Sequence, residues 1–333
     1  MKFSKTMILG GALLAQCAVG QSANAQGYFI NPFEERPIGQ RAHPKFVAEK
    51  GGLYKNVALS NYVRKLGGNV ARTSARFPHK IVFSVVDNSD LQAVTVIGGY
   101  IYVYTGALVW INDEAELAAL IGHELGHAIK RHSARKHNRS NVAGSFLRLA
   151  SLRRRNPERL KTLQVKAALA KVSYSQELEY EADNIGFNVN EKMGLDAYGS
   201  ARMLFQLELR KRLIKKQLGA AHKESPAYLQ SHPQSIDRAR KAANLAKKSR
   251  YTDLPKYKDR YLSMVNGLRL KYRINGRVRN ATLRVHTVSA TNTARVLASK
   301  MIFPSHKLDY FLAINGFTDV SQVKPGMKVK VVS

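Results

Sequence analysis

The most chemically informative residues in the sequence are two histidines and a glutamate in the stretch His123-Glu124-Leu125-Gly126-His127. Residues four apart lie on the same face of an α-helix, so both imidazoles can bind a single metal ion. Glu124 lies between them, within reach of a water molecule beside that ion. The pattern H-E-x-x-H is typical of zinc peptidases and predicts Glu124 as the general base of a hydrolysis.

A catalytic zinc site needs a third protein ligand, and an acidic segment downstream can supply it. Six of the chain's 23 acidic residues fall between Glu177 and Asp196, in a protein that is otherwise strongly basic. Helical spacing places Glu179 and Asp183 on one face, whereas Glu181 points elsewhere and is predicted to be solvated. The alternative is a pair of structural histidines whose hydrogen bonds are made to neighbouring carboxylates.

Together these motifs resemble the zinc endopeptidase family of HtpX, BepA and the CAAX prenyl endopeptidase, a gluzincin-type family. The stretch 175–183 is similar to the family's S-R-x-x-E-x-E-A-D, with glutamine in place of the arginine. The resemblance implies that His123, His127 and Glu179 bind one Zn²⁺ per chain. It also implies that Asp183 orients a ligating histidine, His123.

Three other stretches also resemble this family. Residues 93–101 are similar to a strand segment ending in P-G-G, which implies an edge strand that pairs with an extended substrate. The motif Ser231-His232-Pro233 resembles a loop near the active site. For His232 two roles remain open: a regulator of the metal or donor to the transition state, and a loop-capping residue. Residues 261–268 resemble a segment that follows the peptidase domain in a bacterial exported subgroup. The predicted substrate strand comprises Ala93, Val94, Thr95, Val96 and Ile97.

Two more histidines follow the motif, among arginines and lysines. His132 and His137 lie off the face that carries the histidine pair, and both are predicted to be exposed.

The surrounding periodicity predicts an α+β fold, a mostly helical zincin-like metallopeptidase domain with a small β-sheet. Residues 26–44 read as an extended lead-in, and 46–66 as a helix that Gly67-Gly68 ends. Asn112 is the expected N-cap of the motif helix. The predicted strands are 81–86, 94–97 and 100–105, and later helices are predicted over 157–172, 175–192, 196–218 and 235–247.

The C-terminal residues form a β-α-α-β pattern that resembles LysM, a peptidoglycan-binding fold. The stretch 312–316 matches its L-x-x-L-N-G motif in part, while Thr291-Asn292 replaces the usual Gly-Asp. The predicted strands are 283–285 and 327–332, and the predicted helices are 294–301 and 308–314. The expected domains are a signal peptide (1–25), a peptidase domain (26–250), a linker with some helix around Leu262 (251–280) and a LysM-like module (281–333).

The N-terminus has the features of an export signal. Lys2 and Lys5 precede the apolar run 7–19, and Ala23-Asn24-Ala25 has the form of a cleavage site. Because that run is shorter than the roughly 20 residues of a membrane span, a signal peptide cleaved after Ala25 is favoured over an anchor. Cys17 is the single cysteine, so the mature chain would have no disulfide.

A second apolar run, 94–111, is long enough to span a membrane. Gly98-Gly99 interrupts it, and the alternating tyrosines after them favour strands instead. The expected location is therefore periplasmic or secreted, and the resemblance implies a Gram-negative host.

The strong positive charge of the chain indicates which classes of partner it can attract. The formal net charge is +31, from 54 lysines and arginines against 23 acids, and the basic residues are spread along the chain without a nucleic-acid motif. This favours attraction to peptidoglycan or an anionic membrane surface over specific nucleic-acid binding. The predicted function is an exported zinc-dependent endopeptidase that hydrolyses unfolded or misassembled envelope proteins. The alternative is a cell-wall-associated chaperone-like or binding protein with a latent peptidase site.

Overall fold

Eleven described helices of the α type surround two small sheets. The computed structural model describes residues 30–74, 80–152, 157–218, 232, 235–250 and 253–333; the predicted signal peptide, Ser231 and Pro233 lie outside them. In chain order the elements are α1 (Pro32–Glu49), α2 (Val57–Thr73), β1 (Val82–Val86), β2 (Ala93–Val96), β3 (Tyr100–Tyr104), α3 (Thr105–Trp110), α4 (Glu114–Ile129), α5 (His132–Leu152), α6 (Pro157–Lys192), α7 (Gly199–Leu218), α8 (Ser235–Lys248), α9 (Lys258–Val265), β4 (Arg269–Ile274), β5 (Arg277–Thr287), α10 (Ala294–Ser299), α11 (Lys307–Ile314) and β6 (Lys328–Val332). This mostly helical architecture with small sheets agrees with the predicted class.

The first sheet has the strand order β1-β3-β2, so β2 forms one edge of it among the described residues. Strand β3 pairs in parallel with β1 and antiparallel with β2. The long apolar run 94–111 thus forms strands, as the alternating tyrosines predicted, followed by the short helix α3, which was not predicted. Across the described ranges, no helix combines the length and the apolar character that crossing a bilayer requires.

Helices α4 and α6 pack closely enough to bring the histidine motif of α4 next to the acidic motif of α6. A Cβ atom added to Gly126 would lie 2.9 Å from the Cα of Ala182, and one added to Gly186 would lie 2.9 Å from the Ala119 carbonyl oxygen. Only residues without a side chain allow this approach. Helix α6 is one continuous helix, so the predicted break between 172 and 175 is wrong.

The N-terminal third departs most from its predicted pattern. Residues 32–49 form helix α1 rather than an extended lead-in, because Asn31 and Glu34 make a capping box and Pro32 stands where a helix tolerates proline. The predicted helix 46–66 is split at Gly51-Gly52, which have φ of +103° and +88°.

Helix α2 continues through Gly67-Gly68, the predicted stop, since Gly67 packs directly against the Phe83 ring. Two apolar residues of the predicted helix 46–66, Leu53 and Val57, are 50% and 73% exposed. The N-cap of α4 is Asp113, whose side chain accepts from the Glu116 amide, rather than Asn112.

The predicted linker contains the helix that was expected around Leu262, as α9, and also a strand that was not expected, β4. It does not lie apart from the core, because Tyr261, Leu262 and Val265 are buried in the same core cluster as α4. Strands β4, β5 and β6 form a second antiparallel sheet, so the predicted boundary at 280 falls inside β5. The predicted β-α-α-β order is present as β5-α10-α11-β6; its LysM identity stays a prediction.

The C-terminal unit is anchored to the helical part by a buried lysine. Lys330 of β6 is fully buried, and its ammonium group donates to the Val109 carbonyl oxygen at 2.6 Å. Burial lowers the pKa of Lys330 to about 7, and nearby Glu116 opposes that shift. The two parts of the chain therefore share one continuous core.

Candidate metal centre

Two helices, α4 and α6, and one loop residue bring four side chains within a few ångströms of one another. One ligand atom each from His123, His127, Glu179 and His232 lies within 4.8 Å of the others, and all four residues are buried. The Nε2 atoms of His123 and His127 are 3.1 Å apart. Each lies 3.5 Å from a Glu179 oxygen. His232 Nδ1 lies 2.6 Å from Glu179 Oε2 and 3.3 Å from His123 Nε2.

Asp183 stands behind this cluster, one helical turn after Glu179. Its Oδ1 atom lies 3.0 Å from His123 Nδ1. A carboxylate at Nδ1 keeps a proton on that nitrogen, so that a neutral His123 has its Nε2 lone pair facing the cluster. Although burial opposes the shift, hydrogen bonds to Asp183 and Glu179 raise the pKa of His123 to about 9, so a metal ion would displace a proton from Nε2. The structure thus brings together the five predicted residues His123, His127, Glu179, Asp183 and His232.

A buried arginine that the sequence did not point to holds both carboxylates. Arg238 of α8 is 2% exposed and contacts Asp183 through Nε at 2.6 Å and Nη2 at 2.7 Å. Its Nη1 atom lies 3.0 Å from Glu179 Oε2. Such a forked contact fixes the position and the charge of the carboxylates. The signal for it was available, because Arg238, Ala242 and Ala246 recur every four residues on the buried face of α8.

Both carboxylates are ionised at neutral pH despite their burial. Burial opposes ionisation of Glu179, yet the neighbouring His232 and a hydrogen bond from His123 hold its pKa well below the usual range. Burial likewise opposes ionisation of Asp183, but the Arg238 guanidinium lowers its pKa. Burial lowers the pKa of His127 well below its usual value. Ionised carboxylates and a neutral imidazole are the protonation states that bind a metal cation.

Glu124 lies beside the cluster and is held from the edge strand. The Thr95 Oγ1 atom of β2 lies 2.7 Å from both the Glu124 carbonyl oxygen and Glu124 Oε2. The other oxygen, Oε1, lies 3.9 Å from His232 Nε2. Strand β2 therefore positions the predicted general base as well as forming the sheet edge that was predicted to bind substrate.

Two residues predicted to be solvent-exposed or solvated instead belong to the site. His132 is 1% exposed, and its Nδ1 atom lies 2.7 Å from His127 Nδ1. Its Nε2 atom lies 3.0 Å from Glu181 Oε2, so the prediction for Glu181 is also wrong in part. Burial lowers the pKa of His132 to about 4, although Glu181 opposes the shift. His137 is exposed, as predicted.

The donor set fits a bound metal cation. Oε1 of Glu124 and Oε1 of Glu179 are buried carboxylate oxygens that no hydrogen-bond donor reaches within the described ranges. An ionised oxygen buried without a donor is strongly destabilising unless a cation or an ordered water compensates it. Two imidazoles and one carboxylate are a ligand set that zinc peptidases use.

Comparison with known proteins agrees with this chemistry. Residues 58–246 match the model of Peptidase family M48. The chain is 25% identical over 245 residues to the beta-barrel assembly-enhancing protease of Yersinia pestis, covering 71% of this chain and 49% of the relative. It is 30% identical over 168 residues to the mitochondrial metalloendopeptidase OMA1 of Bos taurus, covering 47% and 31%. It is 27% identical over 156 residues to the metalloprotease YcaL of Escherichia coli (strain K12), covering 46% and 58%. The match to the first two thus spans half or less of their length.

Proposed function

The chain belongs to peptidase family M48, which confirms the resemblance drawn from its motifs, and we propose that it is a zinc-dependent endopeptidase. The observation that carries this proposal is the convergence of His123, His127 and Glu179 beside the Glu124 carboxylate. In the proposal these three residues bind zinc, and Asp183 and Arg238 hold the ligands in place. Bound zinc would lower the pKa of a water molecule and polarise the scissile carbonyl group.

Glu124 moves the proton in this mechanism. Its Oε2 atom is held by Thr95, while Oε1 is turned towards the ligand cluster. Glu124 takes a proton from the attacking water and delivers it to the leaving amine. Burial of the site excludes bulk water, so the proton passes between the glutamate and the reacting atoms rather than to solvent.

The substrate strand of this proposal is the segment 93–97, which comprises β2 and the next residue, Ile97. Its outer edge carries no further strand among the described residues, and Thr95 on it contacts the general base. An extended peptide that pairs with this edge would have its main chain next to Glu124. Since a folded protein seldom offers a free extended segment, we propose unfolded or misassembled polypeptides as substrates.

A direct experiment compares one β-barrel protein in two states, because a relative is named for β-barrel assembly. The purified, zinc-loaded protein is expected to cleave the unfolded form at least about tenfold faster than the form folded in detergent. Initial rates are measured by gel densitometry at equal substrate concentration. Equal rates on both forms would contradict selection for unfolded chains, though not the peptidase activity.

The second candidate is a chaperone-like or binding protein with a latent peptidase site. The observation that favours it is the position of His232, with Nδ1 only 2.6 Å from the proposed ligand Glu179. An imidazole held there as a further ligand would take the place of water. In the same assay, His232→Ala separates the two: faster cleavage indicates a block, slower cleavage indicates assistance, and no cleavage by either zinc-loaded form supports the latent site.

For location and partners, we propose an exported protein that contacts an anionic envelope surface. The predicted signal peptide supports export. No acidic residue occurs between Arg260 and Lys307, and strands β4 and β5 expose Arg269, Arg273, Arg277 and Arg279. Co-sedimentation with peptidoglycan and with anionic vesicles should fall as salt rises. Equal binding to zwitterionic vesicles would contradict an electrostatic contact.

A further inference from the structure

A chain of hydrogen-bonding groups leads away from His127 on the side opposite the ligand cluster. His127 Nδ1 lies 2.7 Å from His132 Nδ1, and His132 Nε2 lies 3.0 Å from Glu181 Oε2. Arg135 Nη1 donates to the same Glu181 oxygen at 2.8 Å. His132 is 1% exposed, so its ring is held by the protein rather than by solvent.

The protons along this chain have one consistent arrangement. A guanidinium only donates, so Glu181 accepts from Arg135 as an ionised carboxylate. Glu181 Oε2 then also accepts from His132, which places the His132 proton on Nε2. The remaining nitrogen of a neutral His132, Nδ1, must therefore accept, and His127 donates to it from Nδ1. His127 is left with its Nε2 lone pair directed at His123 and Glu179, 3.1 Å and 3.5 Å away.

We infer that His132 is a positioning residue that orients His127 and fixes its tautomer for metal binding, with Glu181 anchoring His132 in turn. The inference rests on the proposed zinc site. In this arrangement the Nδ1 atoms of the two proposed histidine ligands have different hydrogen-bond partners. His123 faces the carboxylate of Asp183 directly, at 3.0 Å, whereas His127 faces a neutral imidazole with its carboxylate one ring further away.

This arrangement depends on the turn between α4 and α5. Helix α4 ends at Ile129, and Arg131 adopts a left-handed conformation with φ of +55°. After that turn, the side chain of His132, the first residue of α5, lies against the ring of His127. The pair is therefore built by the turn rather than by helical spacing.

Two substitutions of His132 distinguish the role of its hydrogen-bond acceptor, Nδ1, from that of the rest of the ring. In His132→Asn the side-chain oxygen stands close to the position of Nδ1 and still accepts from His127, but the Glu181 contact is lost. In His132→Leu no acceptor remains. We expect zinc to bind about 10- to 100-fold more weakly to His132→Leu, and His132→Asn to recover most of that loss. The control is His137→Leu, an exposed histidine on the same helix, which should bind zinc like the unaltered protein.

The measurements are the zinc dissociation constant, by competition with a chromophoric chelator, and the visible spectrum of the Co²⁺-substituted protein. The urea midpoint of the metal-free form is measured in parallel. A lower midpoint with unchanged zinc affinity would make His132 merely structural, and equal zinc loss in His132→Asn and His132→Leu would show that acceptance at Nδ1 is irrelevant. Either result overturns the inference. If the unaltered protein binds no zinc, the proposed function fails first, and this is distinguishable because the loss is not confined to the variants.

Discussion

Replacing Glu124 by glutamine should remove peptide cleavage while leaving zinc in place. Glutamine keeps the shape of the side chain and a contact with Thr95, which lies 2.7 Å from Glu124 Oε2, but it cannot take up a proton. Loss of a general base typically lowers kcat by about 10²- to 10⁴-fold. Zinc content by atomic emission and cleavage of an unfolded protein are measured on the same preparation.

The matched comparison is His127→Ala, which should lose zinc and cleavage together, because it removes a proposed ligand rather than the base. The pair of variants separates metal binding from proton transfer. Full activity in Glu124→Gln would contradict the catalytic role of Glu124. Full zinc content in His127→Ala would contradict the ligand role of His127.

Arg238→Met should have the second large effect, on both stability and zinc affinity. The substitution leaves the buried carboxylates of Asp183 and Glu179 without the guanidinium that contacts them at 2.6–3.0 Å. Removing one partner of a buried ion pair commonly costs about 3–5 kcal/mol. The two carboxylates would then repel each other and shift a proposed ligand. Urea unfolding of the metal-free protein and zinc competition measure the two effects.

The control for this variant is Arg240→Met, two residues along the same helix. Arg240 is exposed and pairs only with Asp237 among the contacts described, at 3.1 Å. An exposed ion pair contributes about 0–1 kcal/mol, so this variant should unfold and bind zinc nearly like the unaltered protein. Comparable behaviour of the two variants would contradict the role given to Arg238.

The side chains that share a helix with a recognisable motif were predictable. His123 and His127 are one helical turn apart, as are Glu179 and Asp183, and helical periodicity alone places each pair on one face. The packing of glycines on α4 against α6 then brings the pairs together.

The two site residues that were not predicted, His132 and Arg238, differ in how far the sequence could have revealed them. His132 follows the turn at Arg131 and stands among basic residues that are otherwise solvated, so no periodicity relates it to His127. Arg238 differs from Arg240 only in its position on the buried face of α8, within a stretch rich in arginine and lysine.

Contacts with distant parts of the chain also explain the errors in the fold. The glycine pair predicted that a helix would stop at Gly67-Gly68, and the polar, basic composition predicted a linker after residue 250. Gly67 instead allows α2 to pack on Phe83, and the buried residues Tyr261 and Leu262 tie α9 to the main core. Glycine and charge patterns report backbone freedom and solvation, whereas burial against a distant element decides these cases.

The most direct test of the central claim is the location of the metal in crystals of the zinc-loaded protein. Diffraction data collected at the zinc absorption edge should give one strong anomalous peak per chain, about 2.0–2.2 Å from the Nε2 atoms of His123 and His127 and from a Glu179 oxygen. A protein that retains stoichiometric zinc but shows no peak between these three side chains would contradict the account.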